Sequence, residues 1–148
     1  MIEQKITWAR KYWRLLSAAA IATLAIFAVH GLREAQEQRK RNATYEAVLR
    51  SYSQALKPGI TREEVEDYLR QRNAAFRFMC CVDFKSSKSV WDDLVKIGQE
   101  DPPFVCNEKN IYIAFQFAGT RPLNGVPDAE PSDKLTAITI YPWLEGCL

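Results

Sequence analysis

Leu15-Leu16-Ser17-Ala18-Ala19-Ala20-Ile21-Ala22-Thr23-Leu24-Ala25-Ile26-Phe27-Ala28-Val29-His30-Gly31-Leu32 carries no formal charge. Wound as a helix it would reach about 27 Å at 1.5 Å per residue, close to the roughly 30 Å of a bilayer's hydrocarbon layer. Leu, Ile, Phe and Val favour insertion and Ala is nearly neutral. Ser17, Thr23, His30 and Gly31 work against it. No polar stripe divides the run, as one would in a helix buried against a water-facing core. Val29-His30-Gly31 matches the small-residue rule for signal cleavage poorly. The stretch therefore predicts an uncleaved transmembrane helix over 15–32, with Trp8, Tyr12 and Trp13 at an interface position.

Working outward, residues 1–14 form a short basic tail and 33–42 (REAQEQRKRN) a charged helical stalk. Lys5, Arg10, Lys11 and Arg14 precede the span, and Arg33, Arg39, Lys40 and Arg41 follow it. The count of flanking cations thus ties. A short tail with four cations resists translocation, which favours the N-terminus inside and the domain outside the cytoplasm. The whole-chain charge is +2, yet from Asn42 onward acidic residues outnumber basic ones. Cations placed on both sides of an apolar helix suit lipid headgroups, so the expected partners are a lipid bilayer and a protein, with no nucleic acid.

The rest, 43–148, is long enough for one core. Tyr45, Val48, Leu49, Tyr52 and Leu56 recur at helical spacing, and Pro58-Gly59 ends that helix. A second helix opens with a capping box. Thr61 is the N-cap, Glu64 stands three residues on, Ile60 can staple onto Val65, and Val65 and Leu69 point inward. Glu63, Glu66, Asp67 and Arg70 read as a solvated face. Asn73 suits a left-handed stop.

Residues 75–82 alternate, with Phe76, Phe78, Cys80 and Val82 opposite Arg77, Met79 and Cys81. Ile111, Ile113, Phe115 and Phe117 alternate again, and 135–141 (LTAITIY) is a β-branched third strand closed by Pro142. Within 83–110, Val90-Trp91 and Leu94-Val95 fit a short helix, while Val95 and Ile97 fit an added strand; the extended reading is preferred. Residues 119–132 read as a loop. The expected fold class is α+β: a transmembrane helix, then two helices packed on an antiparallel sheet of three strands, with room for a fourth.

Cys80, Cys81, Cys106 and Cys147 show no C-x-x-C spacing, and neighbours in a strand point to opposite faces, which disfavours zinc. In an exported domain all four become candidate disulfide cysteines, with Cys106 joining Cys80 or Cys81 and Cys147 tying the C-terminus down. No cofactor is expected.

Leu56-Lys57-Pro58-Gly59-Ile60-Thr61-Arg62-Glu63-Glu64-Val65-Glu66-Asp67-Tyr68-Leu69 resembles the opening of BamE-like domains, the small outer-membrane assembly lipoproteins and their relatives. The shared pattern is a Gly-apolar-Thr turn, an acidic capped helix and a three-stranded sheet, running from about Tyr45 to Tyr141. The resemblance implies envelope scaffolding and protein contact without catalysis. The chain departs from the pattern in three ways: it has no lipobox cysteine, Leu69-Arg70-Gln71-Arg72 replaces Leu-Gly-x-Pro, and 83–110 is long.

Three functions follow as expectations. The first is a noncatalytic extracytoplasmic interaction or scaffold domain, with Phe84, Trp91 and Phe104 as its candidate contact surface beside Pro102 and Pro103. The second is an accessory subunit acting through its span, where Ala18-x-x-x-Ala22, Ser17 and Thr23 would pack on a partner helix. The third is a carboxylate-based hydrolase using Asp92, Asp93, Glu100, Asp101 or Glu108, which would need two of them in one concave pocket. His30 is the only histidine and lies outside the domain, so a Ser–His or Cys–His pair is not available there.

Overall fold

The computed structural model describes residues 2–80, 90–119 and 129–148, without the side chains of 2–12 and 14–19. The chain divides into two compact units, Met1–Ala43 and Thr44–Leu148.

Met1–Ala43 is helical from Ile2, as the first part of α1 (Ile2–Ala55). No helix among the described residues is long and apolar enough to cross a membrane. This overturns the transmembrane helix over 15–32, and with it the single-pass membrane localisation. Among the residues with described side chains, the uncharged run is 20–32, about 20 Å of helix that ends at Arg33 and Glu34, against the roughly 30 Å of a bilayer's hydrocarbon layer. Within it Ile21, Leu24, Ile26, Phe27, Val29 and Leu32 are all exposed.

Thr44–Leu148 begins with the last turns of α1. The helix expected to start afresh after a stalk is instead continuous with it, since 33–42 contains only residues that tolerate helix and Asn42 does not interrupt it. Then come α2 (Arg62–Gln71), β1 (Phe76–Met79), β2 (Asp92–Glu100), β3 (Glu108–Ala118) and β4 (Lys134–Glu145). The strands pair antiparallel in the order β1-β2-β3-β4, a four-stranded meander. The stretch left open between helix and strand is thus β2. Its reading was obscured because Leu94 and Val95 are both buried, one on each face, and a bulge between Lys96 and Gly98 breaks the alternation.

Register explains the core. Phe76, Val95, Ile113 and Ile140 line up across all four strands. They share one face with Phe115, Phe117 and Leu135, against which Tyr52, Leu56, Val65 and Leu69 pack. Tyr52 meets Phe115 edge-on with ring centroids 5.3 Å apart. Tyr45 lies across the bulge, so close that a Cβ on Gly98 would fall 2.6 Å from its hydroxyl oxygen; only glycine fits there. Gly59, at φ 97°, turns the chain between the helices.

α2 starts as its sequence predicts. The Glu64 N–H donates to Thr61 Oγ1 at 3.3 Å and the Thr61 N–H donates to Glu64 Oε2 at 2.7 Å. The Thr61 N–H and the Thr61 hydroxyl, which both donate to Glu64 Oε2, draw the Glu64 carboxyl below its usual range. Asn73 adopts φ 54° just past the helix end. The turn before α2 also pairs with β4: the Gly59 N–H donates to the Leu135 carbonyl at 2.8 Å and the Leu135 N–H to the Ile60 carbonyl at 2.9 Å. β4 continues through Pro142, which was expected to end it. As an edge strand it can hold a residue without an N–H.

Candidate functional site

Two arginine centres occupy opposite faces of the sheet. On the helix face, Arg62 is the first residue of α2 and is 1 % exposed. Its guanidinium donates to Asp93 and to the Trp91 carbonyl, lies 3.4 Å from Asp133 Oδ2, and rests 4.0 Å above the Phe117 ring. Asp133 Oδ2 also accepts the Glu130 N–H at 2.9 Å. One side chain thereby ties α2 to the starts of β2 and β4. Burial pushes the Asp93 carboxyl up to about 7, outweighing the Arg62 charge that pulls it down. Arg62 Nε and Asp93 Oδ2 have no hydrogen-bond partner among the described residues and are sealed from water. This is a structural knot with no access for a substrate.

On the opposite face, Arg77 reaches across β2 to stack over two rings, 4.6 Å from Tyr112 and 4.3 Å from Trp143, and donates to Glu145 Oε1 at 2.9 Å. Pairing of Glu108 with Glu145 at the far end of β3 and β4 brings two carboxylates to one place. Between them, Asn110 Nδ2 donates to Glu108 Oε2 at 2.9 Å and to Glu145 Oε1 at 3.3 Å. Arg77 and Asn110 together hold the Glu145 carboxyl below its ordinary range. Burial raises the Tyr112 hydroxyl. These groups border a cavity of about 370 Å³, with Leu94 and Lys96 also in its wall. Its size lies within the range of small-molecule sites.

The same end of the sheet is closed covalently. Cys106 and Cys147, just outside the last β3–β4 pair, form a disulfide. The Leu148 N–H donates to the Val105 carbonyl at 3.0 Å, and the Asn107 N–H to the Glu145 carbonyl at 3.0 Å. Around this closure Phe104 (105 %), Val105 (52 %), Leu144 (42 %) and Leu148 (111 %) are open to solvent.

Against the sequence expectations, Cys106 pairs with Cys147 and not with Cys80 or Cys81, because β3 and β4 end side by side. Cys80 is disulfide-bonded, and Cys81 lies outside the described residues. Phe84 also lies outside them. Trp91 is half-buried with its carbonyl taken by Arg62, while Phe104 is fully exposed. The five carboxylates that cluster in sequence scatter in space. Asp93 is sealed on Arg62, Asp92 accepts the Phe117 N–H at 3.1 Å, Glu100 pairs with Lys109 at 2.8 Å and Asp101 is exposed. Of the five, Glu108 alone borders the cavity on the open face. Among the described residues no group of three or more His, Cys, Asp or Glu could hold a metal.

Sequence reasoning missed Arg62, Arg77, Asn110 and Glu145. Arg62 did carry a signal: it continues the buried stripe of Val65 and Leu69 at i−3. Arg77 stands opposite Phe76 and Phe78 in the alternation, which marks the second face. Nothing local marks Asn110 or Glu145. Set against models of known families, curated proteins and solved structures, the chain matches none of them.

Proposed function

We propose that the domain Thr44–Leu148 is a noncatalytic interaction module of an oxidising compartment, and that it presents the disulfide-closed end of its sheet to a protein partner. The observation that carries this reading is the group Phe104, Val105, Leu144 and Leu148, four large apolar side chains left in water at one covalently fixed end. Single exposed apolar residues are ordinary, whereas several gathered on a rigid element favour contact with another surface. The exposed Ile21, Leu24 and Phe27 of α1 add a second apolar region to the same chain. The disulfide supports the compartment, since thiols stay reduced in a cytosol. The BamE-like character of Leu56–Leu69 agrees with a scaffold role.

Against a hydrolase, Asp93 has no route to a substrate, and Arg77 keeps Glu145 ionised and unsuited to donate a proton. The test is a photo-reactive residue placed at Phe104 of the full chain in its own cells. A discrete cross-linked protein that disappears on Leu148→Asp, with the fold intact by circular dichroism, is the expected result. A cross-linking pattern indifferent to that substitution would overturn the reading.

A further inference from the structure

The apolar end is held in place differently from the rest of the domain. Strands β3 and β4 pair from Ala118–Lys134 to Glu108–Glu145, and the core packs on one face of that ladder. Phe104, Val105 and Leu148 lie beyond the last pair, and Leu144 stands one pair before it. None of the four belongs to either apolar cluster among the described residues. Burial therefore does not fix them. Three backbone bonds reach past the ladder. The Cys106 N–H donates to the Pro103 carbonyl at 2.9 Å, which is a local turn, and the Asn107 N–H extends the ladder to the Glu145 carbonyl. Only the bond from the Leu148 N–H to the Val105 carbonyl joins the two tails, and it links two exposed residues. A single hydrogen bond open to water holds chain ends weakly. The Cys106–Cys147 bond is the remaining tie, beside Val105 in one tail and beside Leu148 in the other.

Exposure decides how that bond is reached. Cys147 is exposed, whereas Cys106 is 9 % exposed. An incoming thiolate therefore meets the Cys147 sulfur, and Cys106 is the leaving group. We propose that Cys106 and Cys147 form a redox switch: oxidation assembles the apolar end, and reduction by a dithiol releases it while the rest of the domain stays folded. The dithiol's first thiolate attacks Cys147 Sγ, the S–S bond breaks, and the Cys106 thiolate leaves and takes up a proton. The dithiol's second thiol then displaces Cys147 from the mixed disulfide. Two electrons pass to the protein, and the reductant ends as a disulfide. The ladder from Glu108 to Ala118 and the buried core do not include this bond, so its loss is local. The use of the switch, to turn partner contact on and off, rests on the protein contact proposed above.

The test is NMR of the full chain carrying Cys80→Ser and Cys81→Ser, in which Cys106 and Cys147 are the only cysteines. Dithiothreitol should move the Asn107 and Leu148 backbone amide signals to the positions of an unstructured chain. The methyl signals of Ile113 and Leu135 should keep their native positions, and reoxidation should restore the amides. Cys106→Ser with Cys147→Ser, in the otherwise native chain, should match the reduced state at all four residues. This second variant keeps the test open if the first does not fold. Amide signals that hold without the bond, or methyl signals that collapse with it, would overturn the switch. So would a bond that dithiothreitol does not open in the folded chain. The Phe104 cross-link should vanish on reduction, and one that survives reduction would overturn the link between bond and partner. A cross-link missing from the oxidised chain as well counts against the protein contact alone, and the amide signals still decide the switch.

Discussion

Arg62 and Arg77 are built alike and behave differently. Each lays its guanidinium on an aromatic ring and gives hydrogens to a carboxylate, on opposite faces of one sheet. Arg62 and Asp93 are 1 % and 0 % exposed, and there the desolvation of the carboxylate wins, so Asp93 is pushed up to about 7. Arg77 and Glu145 remain 45 % and 36 % exposed, the hydrogen bonds win, and Glu145 is drawn down. The same pair of groups thus makes a sealed joint where water is excluded and a ready polar wall where it is admitted. Burial, more than residue identity, separates the structural centre from the one that can meet a ligand.

That contrast breaks most readily at Arg62. Arg62→Met leaves Asp93 and Asp133 buried without their cation and should cost about 3–5 kcal/mol at pH 8 by urea unfolding. The loss should shrink at pH 5, where Asp93 takes up a proton. A loss no larger than that of Arg77→Met would erase the distinction between the faces.

Next in size is the covalent tie on the open side. Replacing Cys106 and Cys147 together by Ser releases a closure spanning 41 residues in sequence and should cost about 2–4 kcal/mol in the same assay. The Asn110 side-chain amide signals should broaden as its end of the sheet loosens. Unchanged signals would show that strand pairing alone holds that wall.

A pH series sharpens the comparison further. Because the folded Asp93 carboxyl lies above its ordinary 3.8, the native state holds a proton that the unfolded chain releases between pH 4 and 7. Stability should therefore fall as pH rises through that window and level off above it. Asp93→Asn should flatten the slope. Glu64 and Glu145 act with the opposite sign, contributing above the usual carboxylate range and losing that contribution only in stronger acid. The smallest effect is expected from Arg77→Met, whose partners are half in water. Its unfolding midpoint should stay near wild type, and the small difference should vanish in high salt.

How far each feature could be read from the chain depends on how local its cause is. The capping box, the left-handed Asn73 and the alternation of β3 arise from neighbours within a few residues, and all appear where the sequence puts them. β2 was only half legible, because burial on both faces and the bulge at Lys96–Gly98 remove the period of two on which such a reading rests. Arg62 finds Asp93 and Asp133 at separations of 31 and 71 residues, and Asn110 finds Glu145 at 35. Partnerships at that range are fixed by strand register, which no short motif encodes.

The bond between Cys106 and Cys147 also fixes what a protease can do to this molecule. Any single scission between those positions, wherever it falls, yields two fragments that stay joined as one particle under oxidising conditions. Such a clipped chain would migrate as a single band until a reductant was added, and then separate in two.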